Sequence, residues 1–304
     1  MKTYFARHAS RLDIDAATYK KLWDEDLIAI HYPHENGQDT GVDSRSLNSQ
    51  DYAGRARGAL KRFISLGTQG GYVCAVYKNK PGCKVGIVAP GTKVVLLSGR
   101  WGELNNNPGR EAILKTLAPK KVRYIGPEGS LALLSGRPRQ GTFCNWGRDN
   151  GLVKAFVENE PWTPSVKRLS VAQQEVLCSE VMRTDKWENL GLPRLTSLLL
   201  PVGRTLKGID IYGLGGKGNK ILAQVTNYQC TSSRARRKLE RLTEYSSEST
   251  TLVFFCDATE IQRIEDVVIF PLEEAFRLFS GTSAGKKWMS ALAPSGTTAS
   301  PPVD

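Results

Sequence analysis

Residues 206–228 read Leu206-Lys-Gly-Ile-Asp210-Ile-Tyr-Gly-Leu-Gly-Gly-Lys-Gly-Asn-Lys-Ile-Leu-Ala-Gln224-Val-Thr226-Asn-Tyr228. An apolar segment with one carboxylate, a turn of Gly, Lys and Asn, and a second apolar segment predict a β-hairpin with a polar group on each arm. Period-two alternation puts Asp210 and Tyr212 on one face of the first arm, and Gln224 and Thr226 on one face of the second. Polar groups from both arms can therefore converge. A carboxylate amid Gly-Ile-Asp-Ile-Tyr-Gly is costly to bury unless it is paired or metal-bound, which marks Asp210 as functional.

Upstream, Leu169-Ser-Val-Ala-Gln-Gln-Glu175-Val-Leu-Cys-Ser-Glu180-Val-Met-Arg183 predicts a helix with apolar positions Val171, Val176, Leu177 and Val181. Downstream come a basic amphipathic helix over Ser233–Leu242, an apolar strand over Thr251–Cys256 and a helix over Phe270–Phe279. In the basic helix, Arg234, Arg236, Arg237, Lys238 and Arg241 flank an apolar line of Ala235, Leu239 and Leu242, a face suited to backbone phosphates.

In this order the stretches resemble the PD-(D/E)XK nuclease fold, in particular the Mrr-like restriction endonucleases, over about residues 165–280. Gly208-Ile-Asp210 and Gln224-Val-Thr226 stand in the places of that family's hairpin motif, and the 169–183 helix resembles the one that carries its glutamate. The resemblance implies a catalytic set of Glu175, Asp210, Gln224 and Thr226, and a Mg²⁺ or Mn²⁺ ion held by Asp210, Glu175 and the backbone carbonyl of Val225. Two substitutions depart from the pattern. Gln224 replaces a carboxylate, which keeps an oxygen ligand and removes a negative charge. Thr226 replaces a lysine, and a hydroxyl carries no cation; Lys220 on the same hairpin, or Lys207 before Asp210, is the expected substitute.

The chain has 304 residues, room for two domains each with its own core, and a net charge of +12. The excess is local: residues 51–150 alone sum to +12. A concentrated basic segment favours a polyanionic partner, and nucleic acid is the commonest one. The six cysteines are scattered without zinc-knuckle spacing, mostly within apolar runs, and read as free thiols of a reducing, cytoplasmic protein. No apolar run reaches membrane-spanning length, and the polar amino terminus does not read as a signal peptide.

In the amino-terminal half the patterning predicts strands at Tyr4–His8, Leu27–Pro33, Tyr72–Tyr77, Val85–Ala89, Lys93–Leu97 and Lys121–Ile125. It predicts helices at Ala16–Trp23 and Ala53–Leu66, and a strand at Leu152–Val157. The order of Tyr4-Phe5-Ala6, Trp23, Asp26–His31, Phe63, Gly71-Tyr72-Val73 and Val85–Val88 resembles the EVE branch of the PUA-like fold. That resemblance implies a bent β-barrel whose aromatic-lined pocket holds a base, often a modified one, with Trp23, Tyr32 and Trp101 as candidates. Glu158-Asn-Glu-Pro-Trp-Thr-Pro164 reads as the boundary between domains.

The expected protein is α+β: an EVE/PUA-like reader over residues 1–160, a restriction-endonuclease-like α/β domain over 165–282, and a tail over 283–304, low in complexity from Pro294. The expected function is a metal-dependent endonuclease on double-stranded, modified DNA, in restriction or phage defence, with Arg234, Arg236 and Arg237 on the DNA. The need to cut two strands favours a homodimer. Two alternatives stand beside it: a degenerate nuclease scaffold acting as a nucleic-acid sensor, and an RNA-binding PUA-like protein.

Overall fold

The computed structural model describes residues 1–8, 12–31, 45–104, 108–138, 141–147, 151–199, 208–216 and 218–292. These divide into two compact units, Met1–Trp162 and Thr163–Ala293.

The first unit contains, in chain order, β1 (Thr3–His8), α1 (Ala16–Asp24), β2 (Ile28–Ile30), α2 (Gly54–Gln69), β3 (Gly71–Tyr77), β4 (Cys83–Val88), β5 (Val95–Arg100), β6 (Glu111–Leu117), β7 (Lys120–Ile125), α3 (Pro127–Ser135), β8 (Phe143–Asn145) and α4 (Leu152–Glu158). Helix α2 forms because Ala59, Leu60, Phe63 and Leu66 fall on one face at helical spacing; that face is buried while Arg55 and Arg57 stay out. Strand β1 pairs in parallel with β3, a connection that needs the intervening crossover, and the remaining pairings of the unit are antiparallel. Tyr4, Leu22, Ile28, Tyr52, Phe63, Leu114 and Phe143 lie in one core.

Two expectations are corrected here. Among the described residues the strands form two sheets, ordered β7-β4-β3-β1-β8 and β2-β6-β5, with no closed barrel. The segment 152–157 is helical: Leu152, Val153, Ala155, Phe156 and Val157 are all buried in α4, bounded by left-handed residues at Gly151 and Asn159. A six-residue run with one exposed polar residue, Lys154, is too short to separate the strand period from the helical one.

His8 ties the sheets together. Its Nε2 accepts the Ala29 N–H at 2.9 Å, joining β1 to β2, while Nδ1 is buried without a partner. Burial pushes this imidazole down to about 4. The unfolded chain takes up the proton near pH 6.5 and the folded one does not, so the stability it confers is full above pH 6.5 and is lost as pH falls toward 4. At most about 3 kcal/mol is at stake. The melting temperature should drop over that window, and His8→Gln, which keeps an acceptor for Ala29, should flatten the drop; an equally steep profile would refute the assignment.

The second unit contains α5 (Val171–Val181), α6 (Asp185–Glu188), β9 (Leu195–Leu198), β10 (Ile211–Gly215), β11 (Lys220–Gln229), α7 (Ser233–Thr243), β12 (Thr250–Asp257), β13 (Gln262–Ile264), β14 (Val267–Pro271), α8 (Leu272–Ser280) and α9 (Ser283–Leu292). Its sheet runs β13-β14-β12-β11-β10-β9, with β11, β12 and β14 parallel at the centre. Alternation along the central strands builds two apolar faces. Leu222, Leu252, Phe254, Cys256 and Ile269 pack with Ala235 and Leu242 of α7. On β12 and β14, Phe255 and Phe270 alternate away from that cluster and pack against Trp187 of α6. Helix α5 packs on α8 and β11 and opens with a capping box, Ser170 and Gln173 each bonding the other's backbone N–H. Helix α9 occupies the start of the segment read as a tail; residues from 293 onward lie outside those described. No helix of the described residues is long and apolar enough to cross a membrane.

Candidate functional site

In the second unit the polar site is built where β10 and β11 stop pairing. The ladder covers Ile211–Leu214 against Lys220–Ala223, and Asp210 lies one residue beyond it. Its backbone N–H donates to the Ala223 carbonyl at 2.9 Å, and its Oδ2 accepts the Val225 N–H at 2.8 Å. The carboxylate thus satisfies a strand N–H past the end of the ladder, which holds it at the sheet's own level. Gly208 makes the approach possible: its φ is +93°, and a Cβ there would meet Arg241 Cβ of α7 at 3.1 Å.

Gln224 is 4% exposed, and its Nε2 donates to Asp210 Oδ2 and, at 3.3 Å, to the Val225 carbonyl. Just past it the pairing of β11 with β12 shifts register between Val225 and Gln229, a bulge that re-aims the following residues. Thr226 is buried in that stretch, its Oγ1 3.5 Å from the Tyr228 N–H. Asn227 exchanges two hydrogen bonds with Gln174 of α5, at 2.9 and 3.0 Å, tying the bulge to that helix.

Glu175, next to Gln174, is buried, whereas Glu180 faces outward beside Arg183. Burial, and then the negative charges of Asp210 and Glu175, push the Cys178 thiol well up. Asp210 itself is raised: burial outweighs the Val225 N–H and the ammonium of Lys238, both of which favour the ionised form. Lys238 Nζ is 3.4 Å from the Val225 carbonyl. Helix α7 thus delivers a cation to the site. The hairpin candidate does not: Lys220 is exposed at the far end of β11, about 13 Å along the strand from Gln224. Lys207 lies outside the described residues.

Among the described residues no group of three or more His, Cys, Asp or Glu is arranged to hold a metal. The oxygens at hand are the Asp210 carboxylate, the Val225 carbonyl and the Gln224 amide; Glu175 is buried on α5, next to the Gln174 that bonds Asn227. Such hard donors, few in number, fit an ion that keeps several of its waters. Two N–H donors, from Gln224 and Lys238, already converge on the Val225 oxygen, so an ion bound there would displace one of them.

Arg234, Arg236 and Arg237 are exposed on α7, and Arg234 lies over the Tyr228 ring at 5.4 Å. In the first unit, Trp23 is removed from the set of base-stacking candidates. It is 8% exposed, edge-on to Tyr77 and Tyr124, and Lys84 Nζ sits 4.0 Å from its ring centroid. Its apolar faces are already used by the core. Tyr32 lies outside the described residues.

Trp101 is 4% exposed, with its indole N–H buried and unpaired, and His31 packs edge-on at 4.5 Å. The chain at Asp13 and Ile14 runs beside it, with the Gly102 N–H donating to the Asp13 carbonyl at 3.0 Å. Asp13 Oδ2 is also buried and unpaired, and Lys78 stands 3.8 Å from Oδ1. Gly102 leaves the room: a Cβ there would sit 2.7 Å from Asp13 Oδ1. Nothing in the spacing of Asp13 and Trp101 links them, since the contacts that bring them together, the Ile14–Trp101 bridge and the Gly102–Asp13 hydrogen bond, span nearly ninety residues of chain.

No family model and no curated protein matches the chain. Two solved structures are similar over 88% of it. One is "MspJI Restriction Endonuclease in Complex with 27-mer Oligonucleotide", at 11% identity and TM-score 0.30 over 73% of that chain. The other is "DNA modification-dependent restriction endonuclease AspBHI", at 13% identity and TM-score 0.22 over 79% of that chain. At such TM-scores neither superposition establishes a shared fold.

Proposed function

We propose that the protein is a metal-dependent DNA endonuclease of the PD-(D/E)XK type whose first unit reads a base, with modified DNA as substrate and restriction or phage defence as its setting. The observation that carries the reading is the meeting of Asp210, Gln224, the Val225 carbonyl and Lys238 at the end of one hairpin.

Asp210, Glu175, Val225 and Gln224 would hold Mg²⁺ or Mn²⁺. When bound, that ion supplies a water ionised near neutral pH and a counter-charge for the phosphate. The chain's own residues do the rest. The Val225 N–H holds the Asp210 carboxylate in one orientation, the Gln174–Asn227 pair fixes the bulge that carries Thr226, and the arginines of α7 offer cations to backbone phosphates. In hydrolysis the water oxygen bonds to phosphorus as one phosphorus–oxygen bond to sugar breaks. The water's proton passes to solvent, and the departing sugar oxygen takes one up.

Base reading is supported by Asp13 and Trp101. An unpaired acceptor and an unpaired donor, both buried, complement the donor and acceptor on a base edge, and burying either without a partner is unfavourable. Asp13→Asn and Trp101→Phe should each reduce the preference between methylated and unmethylated copies of one plasmid by roughly 10-fold. An unchanged preference in both would remove this pair from the reader.

The whole proposal is tested by incubating the full chain with phage and plasmid DNA, with and without Mg²⁺ or Mn²⁺. Cleavage that needs the ion and disappears in Asp210→Ala supports it. Tight binding with no cleavage, unaffected by Asp210→Ala, would replace it with the sensor reading that Thr226 favours, and preference for RNA would replace it with the RNA-binding one. A dimer on DNA is expected by sedimentation.

A further inference from the structure

We propose that Lys238 of α7 is the site's cation, taking the part that the hairpin position occupied by Thr226 lacks and contacting the phosphate to be cleaved. This rests on the nuclease reading above. Among the described residues the hairpin offers no lysine near Asp210. Thr226 is buried on the arm that carries Gln224, and in the regularly paired part of that strand Gln224 and Leu222 share a parity. Leu222 belongs to the face that α7 covers. A side chain descending from α7 therefore enters the space above Gln224.

Lys238 is placed to do so. Ala235, Lys238, Leu239 and Leu242 are spaced i, i+3, i+4 and i+7, the inward stripe of the helix, and Lys238 is only partly exposed where Arg234, Arg236, Arg237 and Arg241 are exposed. A lysine on an apolar stripe loses hydration unless its ammonium finds acceptors. It finds the Val225 carbonyl at 3.4 Å and the field of Asp210. The four-carbon stem lets a lysine cross from helix to sheet end, and the contact through one backbone carbonyl leaves donors free for a phosphate oxygen.

The test uses the full chain with Lys238→Met, Lys238→Arg and Thr226→Lys, the last alone and combined with Lys238→Met. In single-turnover cleavage, Lys238→Met should be slowed about 100-fold or more, Lys238→Arg should fall less, and Thr226→Lys in the Lys238→Met background should recover at least about 10-fold. DNA binding at fixed salt should change by less than about 3-fold, since one phosphate contact among several is lost. A second readout is free of both metal and activity. Without divalent ions, Lys238→Met should lower the melting temperature by a few degrees in the Asp210 protein and have little effect in Asp210→Asn, because the charge it balances is gone. Failure of wild-type cleavage, or indifference to Asp210→Ala, would defeat the nuclease reading while the melting cycle still decides the placement of Lys238. Cleavage by Lys238→Met at the wild-type rate, or an uncoupled melting cycle, would overturn the Lys238 proposal alone.

Discussion

Asp210→Asn should reduce DNA cleavage by roughly 10³-fold or more and, at neutral pH, raise the melting temperature of the metal-free protein. Both effects follow from one buried carboxylate. Burial raises Asp210 despite the Val225 N–H and Lys238, so its ionised form is the strained one in the fold. The sign is set by linkage: a folded value above the unfolded 3.8 means stability that is full below 3.8 and is lost as pH rises through the folded value. At pH 7 the wild-type chain bears that loss. Asparagine keeps an oxygen to accept the Val225 N–H at 2.8 Å and has no charge to desolvate. Melting curves of both proteins at pH 7 and near pH 3.5 check this. The gain should be present at pH 7 and shrink at the lower pH. A variant that melts lower at pH 7, or that still cuts, contradicts the account. The same comparison separates a functional carboxylate from a structural one, because a residue retained for stability does not improve stability when neutralised.

Trp187→Ala should cost about 3–5 kcal/mol, a large part of the roughly 5–15 kcal/mol that holds a domain together. The side chain is fully buried, its ring centroid lies 4.9 Å from Phe270 and 5.9 Å from Phe255, and its Nε1 donates to the Pro193 carbonyl at 3.0 Å. Removal opens a cavity beneath β12 and β14 and leaves Pro193 without its donor. The consequence reaches the site, because Phe255 is the β12 residue paired with Val225. Hydrogen exchange checks it: amides of β11, β12 and β14 should lose protection while those of β1 and β3 keep theirs. Trp187→Phe, which refills most of the space, should lose less than half as much. Equal protection in wild type and Trp187→Ala would show that the aromatic cluster is not the mainstay assigned here.

The hairpin was legible in the chain because alternation and a Gly-rich turn are local properties, and Asp210 stood out because a charge in an apolar strand has few structural uses. The α7 helix was legible for the same reason: its apolar line repeats at helical spacing. By composition Lys238 is one of five neighbouring cations on α7, and only its i+3 relation to Ala235 places it on the inward stripe. That spacing was the available signal.

Other features could not be read. Six residues with a single exposed polar position, Lys154, fit either period, and the run 152–157, a strand by its pattern, folds as α4. Whether Trp23 or Trp101 keeps a free polar edge depends on which distant residue packs on each, and Lys84 and Asp13 come from opposite directions along the chain. Sheet closure in the first unit depends on which edges pair, a choice made by long-range hydrogen bonds that leave no mark on any single strand. By itself the sequence determined which segments are amphipathic and where a carboxylate is planted among apolar neighbours, since both depend on residues a few positions apart. Only the tertiary structure decided which cation meets that carboxylate and which tryptophan is spent on the core, because burial and charge pairing are settled between segments that touch only once the chain has folded.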